Sequence, residues 1–523
     1  MGSKQTKEKK MNIISLMTLN IMLCSGIMEY NYNNTATKSE LPNEETRKTE
    51  VLVTLTSEES KNWVDYSCDH FIVSDCIAIE DLTSSYNPKL SKDTAQNNCF
   101  KRILKLSFSE KNEEELNNIL TIIKQVPGVD SVNTNDLIEI RINEELNINK
   151  SQSRTINNNW GNESINLNNA KQLISSESIT PKSVNVGVLE YGIDGSHSDL
   201  QNRVNTLISK SFVDNSPCVD GSADGHGTAV AGIIAANVNS AGIDGVCDNA
   251  SIVSLKFSVQ GYISNGETYF GQTEISDIIE ILNYAHANSI RILNCSFGYD
   301  VYNESIETAM KNFGELIVCG AGNSVRNTDS TASYPASYEL DNIISVGGIH
   351  SDNSMWYDSP GIGSNYGQNS VDLFAPSCNI YSTKPNNQYD YYSGTSFAAP
   401  FVSGVAAMLL SIENETYSGN LSVNDIKGII LSSAQAIAGL TDYCVSGGIL
   451  DAEEAVRTAL AYVPIYSYEQ YDSTYHIVRN QYGTGHLEEH FWVPNLRSGE
   501  SIYAISPITS YVCNKCGSTK ISF

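Results

Sequence analysis

Positive charge is what this sequence has least of. Lys and Arg total 33 against 60 Asp and Glu, a formal charge of −27 over 523 residues. A surface of that sign repels a phosphate backbone, so no nucleic-acid partner is expected. Charged residues of both signs make up only 18%, while apolar residues reach 41%. That balance excludes a disordered acidic chain, which combines high net charge with little to bury. Twelve cysteines in this length are too few for a disulfide-built scaffold. The length itself excludes a single small module.

Long apolar runs are lacking too. Only residues 11–23 approach one, and Asn12, Ser15, Thr18 and Asn20 interrupt it, so no stable membrane span is expected. Lys4, Lys7, Lys9 and Lys10 precede that run and Ser25 and Gly26 follow it. Residues 1–30 therefore read as a secretory signal, which predicts a secreted, extracellular product. A competing reading is attachment to the cell surface: residues 1–6 fit a myristoylation pattern, and Cys24 follows the run as a lipid-modified cysteine would.

What is present divides the remainder into three parts. Residues 48–147 predict a small domain with strands at 50–56, 103–108, 129–132 and 137–141 and a helix over 113–126, which Pro127-Gly128 ends. Helices on one face of an antiparallel sheet would close it. Between 155 and 462, strand-like runs at 184–189, 251–255, 290–293, 315–319 and 342–346 alternate with helical segments, the last at 423–433 and 452–462. Such alternation predicts an α/β domain, a parallel sheet with helices on both faces. Residues 463–523 form a Tyr-rich tail of short strands, and no repeat of fixed period is visible. The polar stretch 145–159, with Lys150 and Arg154, predicts an exposed, cuttable connection.

Three patches combine a reactive side chain with small residues that bare it. In Val188-Leu189-Glu190-Tyr191-Gly192-Ile193-Asp194 a carboxylate ends an apolar strand, where ligands gather in parallel sheets. In Asp224-Gly225-His226-Gly227-Thr228 a histidine lies between glycines at the start of a small-residue helix. In Gly394-Thr395-Ser396-Phe397-Ala398-Ala399-Pro400 a serine opens another apolar helix, whose N-terminal N–H groups would favour a developing oxyanion. A serine hydroxyl is a poor nucleophile near neutral pH and needs an imidazole to take its proton and an acid to orient that imidazole.

In order and context these patches resemble the subtilisin-like serine proteases, peptidase family S8, over roughly 160–462. The resemblance extends to Val318-Cys319-Gly320-Ala321-Gly322-Asn323, to Asn294-Cys295-Ser296-Phe297-Gly298 and to Ser333-Tyr334-Pro335-Ala336. It implies Ser396 as nucleophile, His226 as general base and Asn323 as oxyanion donor. Ser296, Phe297, Gly298, Gly320 and Ser333 would line the cleft for peptide or protein substrates, with Gly320 and Ser333 leaving the first pocket open to medium or large apolar side chains. One departure stands out: the family's acid is Asp followed by a small hydroxyl residue and Gly, whereas this chain has Glu190, Tyr191 and Gly192. Either Glu190 orients the imidazole, another carboxylate such as Asp194 substitutes, or the protein is catalytically impaired and binds peptides or a partner protease.

The resemblance also implies a structural calcium ion, with side chains of Asp199 and Asn239 and carbonyls of Asn237, Ala241 and Ile243 as oxygen ligands. Residues 48–147 resemble the inhibitor I9 type of propeptide, a ferredoxin-like fold that would act as the chain's own intramolecular inhibitor, although the stretch 57–99 is longer than usual. Cys295 and Cys319 are expected as small buried residues, whereas pairing of the loop cysteines is not legible from sequence. In the tail, His486-Leu487-Glu488-Glu489-His490 matches a zinc-protease pattern, and Cys513 and Cys516 would suit zinc or a local disulfide.

Overall fold

The computed structural model describes residues 48–62, 71, 75–85, 100–140, 158–177, 179–220, 222, 225–239, 242–258, 271–412 and 421–461. It adds the backbone of short strands between 262 and 269 and between 466 and 521. The proposed leader and the connection around Lys150 and Arg154 lie outside these residues.

Alternation by two along the strands builds the large domain. Val184, Val186 and Val188 of strand Val184–Glu190 face one core, while Leu189 faces the other. Ile292 and Leu293, and Val318 and Ile317, divide in the same way. A sheet buried on both faces must be covered by helices. On one side lie His226–Ala235, Thr395–Ser411, Val423–Ser432 and Ala452–Ala461; on the other lie Ile275–Ala287 and Glu304–Phe313. The strands run in the order Leu373–Pro376, Ile343–Ile349, Leu316–Gly320, Ile292–Cys295, Val184–Glu190, Ala250–Lys256, each parallel to its neighbours. Lys210–Ser211 extends one edge, and Gly448–Ile449 followed by the antiparallel Gln435–Ala436 extends the other. Cys295 and Cys319 pair in register across adjacent strands and are both buried.

The small domain has strands Thr49–Leu55, Cys76–Asp81, Ile103–Phe108 and Val129–Thr134 in one antiparallel sheet, the first and third central. Helices Ser57–Asn62 and Glu113–Lys124 complete the β-α-β-β-α-β order of a ferredoxin-like unit. The longer helix starts on a capping box between Asn112 and Glu115. The stretch after residue 57 is thus not a pure insertion: it holds one helix and one strand of the fold. The expected strand at 137–141 is a correction of a different kind. It leaves this sheet, and Leu137–Glu139 pairs antiparallel with Gln272–Glu274 of the large domain. Ile138 and Ile140 join the large domain's second core, and that burial outweighs continued pairing at home.

Among the described residues no helix is long and apolar enough to cross a membrane. In the tail, Gly485–Glu489 is a strand, so the pattern's His486 and Glu489 sit three apart on an extended backbone. A His-x-x-Glu-His zinc site needs these residues on turns of a helix, and this segment does not supply one. His490 and Cys516 lie outside the described residues.

Candidate active site

The site lies at the carboxyl ends of the central strands, where a parallel sheet leaves room for ligands. Glu190 is the last residue of its strand and His226 the first of its helix. Glu190 Oε2 lies 2.8 Å from His226 Nδ1, with both side chains buried. A carboxylate can only accept, so Nδ1 carries the proton and Nε2 is left as the basic nitrogen. The longer acid therefore reaches the imidazole. Gly227 lets it do so: a Cβ there would stand 2.2 Å from the Gly192 carbonyl and 3.0 Å from Glu190 Cβ.

Asp194 is engaged elsewhere. It accepts from Ser196 N and Oγ and from Asn386 N, and these bonds outweigh burial to hold its carboxyl below the ordinary range. The acid on the imidazole is Glu190.

A second carboxylate supports the histidine from behind. Gly225 provides no side-chain cap for the His226 helix. Ser222 Oγ accepts from Gly225 N and His226 N instead, while half-buried Asp220 accepts from Ser222 and from Thr228 N and Oγ1. Burial pushes the Asp220 carboxyl up despite these donors. Sequence reasoning missed Asp220 because it belongs to an irregular loop six residues before the histidine. Its closeness in sequence to a glycine-flanked His was the available signal.

Ser396 is the second residue of the buried helix Thr395–Ser411. Phe397, its neighbour, packs its ring 5.2 Å from the His226 imidazole, which brings the two helix starts together. Pro400, inside this helix, has no N–H, so the carbonyl of Ser396 loses its helical donor. Ser296 Oγ replaces it at 2.7 Å, and Ser396 Oγ in turn donates to the Ser296 carbonyl at 3.1 Å. Asn294 Nδ2 steadies Ser296 Oγ from the strand below, at 2.8 Å.

Asn323 Oδ1 accepts from Thr395 N and Oγ1 at 2.9 and 2.8 Å. With its oxygen so occupied, the amide presents its nitrogen as a donor. Gly322, at φ 102°, turns the chain there, where a Cβ would strike Asn365 Nδ2. Asn365 holds the turn by donating to Ala321 O and accepting from Ser324 N and Arg326 N. Ser296, Phe297, Gly298, Gly320 and Ser333 line one solvent-open cleft with Asn323 and Ser396. Arg326 and Asp300 also line it, which the sequence reading did not anticipate.

The expected calcium ligands are arranged differently. Asp199 is buried, but Oδ2 accepts from the Tyr389 hydroxyl and Oδ1 from Asn239 Nδ2, each at 2.8 Å. Asn237 binds Arg203 Nε and the carbonyls of Ser198 and Gln201, Ile243 N approaches Asp199 Oδ2, and Ala241 lies outside the described residues. Protein donors meet both oxygens of the single carboxylate in this arrangement. Among the described residues no group of three or more His, Cys, Asp or Glu could hold a metal.

A buried acid–imidazole pair, a serine at the start of a helix whose next residue packs on that imidazole, and an amide beside the serine in an open cleft are the parts of a serine-type endopeptidase. Comparison with known proteins agrees: the profile of the subtilase family matches residues 181–485, and the chain belongs to that family. It is 36% identical over 283 residues to the major intracellular serine protease of Bacillus subtilis (strain 168), covering 50% of this chain and 82% of the relative. It is 35% identical over 269 residues to the thermophilic serine proteinase of Bacillus sp. (strain AK1), covering 50% and 59%. Subtilisin-like protease 2 of Plasmodium falciparum (isolate 3D7) is 30% identical over 297 residues, covering 53% of this chain and 21% of that protein. The chain thus spans less than two thirds of the second and third relatives.

Proposed function

We propose that this peptidase cleaves peptide bonds through an acyl-enzyme intermediate with Glu190 in the place of the family's Asp, under the control of its own N-terminal domain. The observation that carries the reading is the buried 2.8 Å contact between Glu190 Oε2 and His226 Nδ1. In the reaction, Ser396 Oγ leaves the Ser296 carbonyl and attacks the scissile carbonyl carbon while its proton passes to His226 Nε2. The negative charge on the former carbonyl oxygen is met by the Asn323 amide and a backbone N–H at the start of the Ser396 helix. Collapse breaks the C–N bond, and His226 returns the proton to the leaving amine. Water then attacks the Ser396 ester by the same route in reverse. Glu190 keeps its charge throughout and stabilises the imidazolium.

Docking of the small domain supports its role as an inhibitor removed on maturation. Its last strand is paired with the large domain, and residues 141–157 must connect it to Trp160. Export from residues 1–30 belongs to the same proposal, and N-terminal sequencing of secreted protein tests both. The decisive experiment is fluorophosphonate labelling after removal of the small domain, checked by mass. Stoichiometric labelling of Ser396, absent in Ser396→Ala, is expected. No labelling of trimmed protein would instead make the chain a peptide-binding relative without turnover.

A further inference from the structure

Arg326 places a guanidinium in the substrate cleft of a chain whose formal charge is −27. The residue is held there deliberately. Its N–H donates to Asn365 Oδ1 at 3.1 Å, and its carbonyl accepts from Tyr366 N at 3.1 Å. The residue before it, Val325, is β-branched yet sits at φ 53°, a conformation that persists only where the surroundings impose it. Across the cleft, Asp300 follows the Ser296-Phe297-Gly298 wall and accepts from Arg326 Nη2 at 2.6 Å. The two side chains are 25% and 35% exposed, so the carboxylate is the more accessible partner. Arg326 Nε is buried and has no hydrogen-bond partner.

Three consequences follow from ordinary charge chemistry. An arginine side chain of a substrate would have to displace a like charge already bound to the cleft's own carboxylate. An uncharged side chain gains nothing from the guanidinium beyond contact. A carboxylate can take Arg326 over, because Asp300 is the half-exposed member and can turn to water at little cost, since exposed pairs are weak. A guanidinium offers two edges to a carboxylate, and its unused Nε is the donor a second oxygen would complete on relaxation.

We propose that Arg326 makes the first pocket selective for peptides with an acidic residue, glutamate foremost, on the amino side of the cleaved bond. This rests on the peptidase reading above and refines its substrate class. The apolar tolerance expected from Gly320 and Ser333 describes the walls of the pocket; Arg326 and Asp300 describe what else the pocket offers.

The test uses the mature enzyme and four chromogenic peptides identical except for Glu, Gln, Leu or Lys at that position. A charge-assisted bond exceeds its neutral counterpart by about 1.4 kcal/mol, so kcat/KM for Glu should exceed that for Gln by roughly tenfold. Arg326→Gln should bring the Glu to Gln ratio close to one, and Asp300→Asn should raise it by removing the competitor. Arg326→Glu should reverse the order in favour of Lys. Equal rates for Glu and Gln in the parent enzyme, or a ratio unmoved by Arg326→Gln, overturn the proposal while leaving the peptidase reading intact. Failure to hydrolyse any of the four, with Ser396 unlabelled, removes both.

Discussion

The two folded regions are held together on different terms. In the large domain, strands buried on both faces run beneath helices such as Thr395–Ser411, every residue of which is buried. The reactive groups are fixed by close approaches that only glycine permits, at Gly227 and Gly322. The small domain meets it through an apolar patch of Leu52, Leu82, Ile103, Ile138 and Ile140 against Ile275, Ile279 and Phe313. Around that patch runs a seam rich in acids. Asn135 Nδ2 bonds Glu50, Glu274 and Ser276, and Lys105 lies between Glu80 and Glu280. The contrast fits the proposed division into a permanent catalytic body and a partner that comes away on maturation. A core of interleaved side chains has no plane along which to part, whereas a patch rimmed by carboxylates does.

If the catalytic body is as rigidly specified as this, small chemical changes at Glu190 should have the largest effect. Glu190→Gln keeps the length, removes the charge and can donate to Nδ1, favouring the wrong tautomer. Its kcat on a peptide substrate should fall by about 10⁴-fold. An Ala variant that turns over normally would falsify the role given to Glu190. Asn323→Ala should lower kcat by roughly 10²–10³-fold with KM little changed, a size borrowed from the matching donor in subtilisin. A change confined to KM would mean that the amide binds substrate and does not serve the transition state.

The seam between the regions gives the smallest effect and the sharpest test of the contrast. Asp277, at the start of the Ile275–Ala287 helix, is pushed up to about 6 by burial and then by the Glu274 charge. A carboxyl raised in the folded state favours folding fully below its unfolded value near 3.8, and that contribution is lost as pH rises through about 6. Asp277→Asn, made in the Ser396→Ala chain to keep it intact, should melt a few degrees higher than its parent at pH 8. The two should converge at pH 4. A constant difference at both pH values would show that Asp277 does not titrate as described.

Much of the fold and site could be read from residue order because the relevant signals are local. Val186 and Leu189 announce a two-faced strand, and the glycines around His226, Asn323 and Ser396 mark where side chains must be bared. Glu190 was legible as the departure from pattern, though only coordinates show that its extra methylene still reaches Nδ1. Other features depend on partners far away in sequence. Ile138 reads equally well as a strand of the small domain, and nothing near it names Thr273 as its neighbour. Arg326 and Asp300 meet only because two loops converge. Tyr389 occupies Asp199 from 190 residues downstream, which spacing around Asp199 and Asn239 had no means of revealing.

The proline at 400 has an effect beyond its own helix. By leaving the Ser396 carbonyl for Ser296 to bind, it couples the residue that cuts to the wall along which a peptide lies. The wall and the nucleophile therefore share one reciprocal pair of hydrogen bonds, and a change of backbone position at Ser296 would be felt at both the hydroxyl and the carbonyl of Ser396.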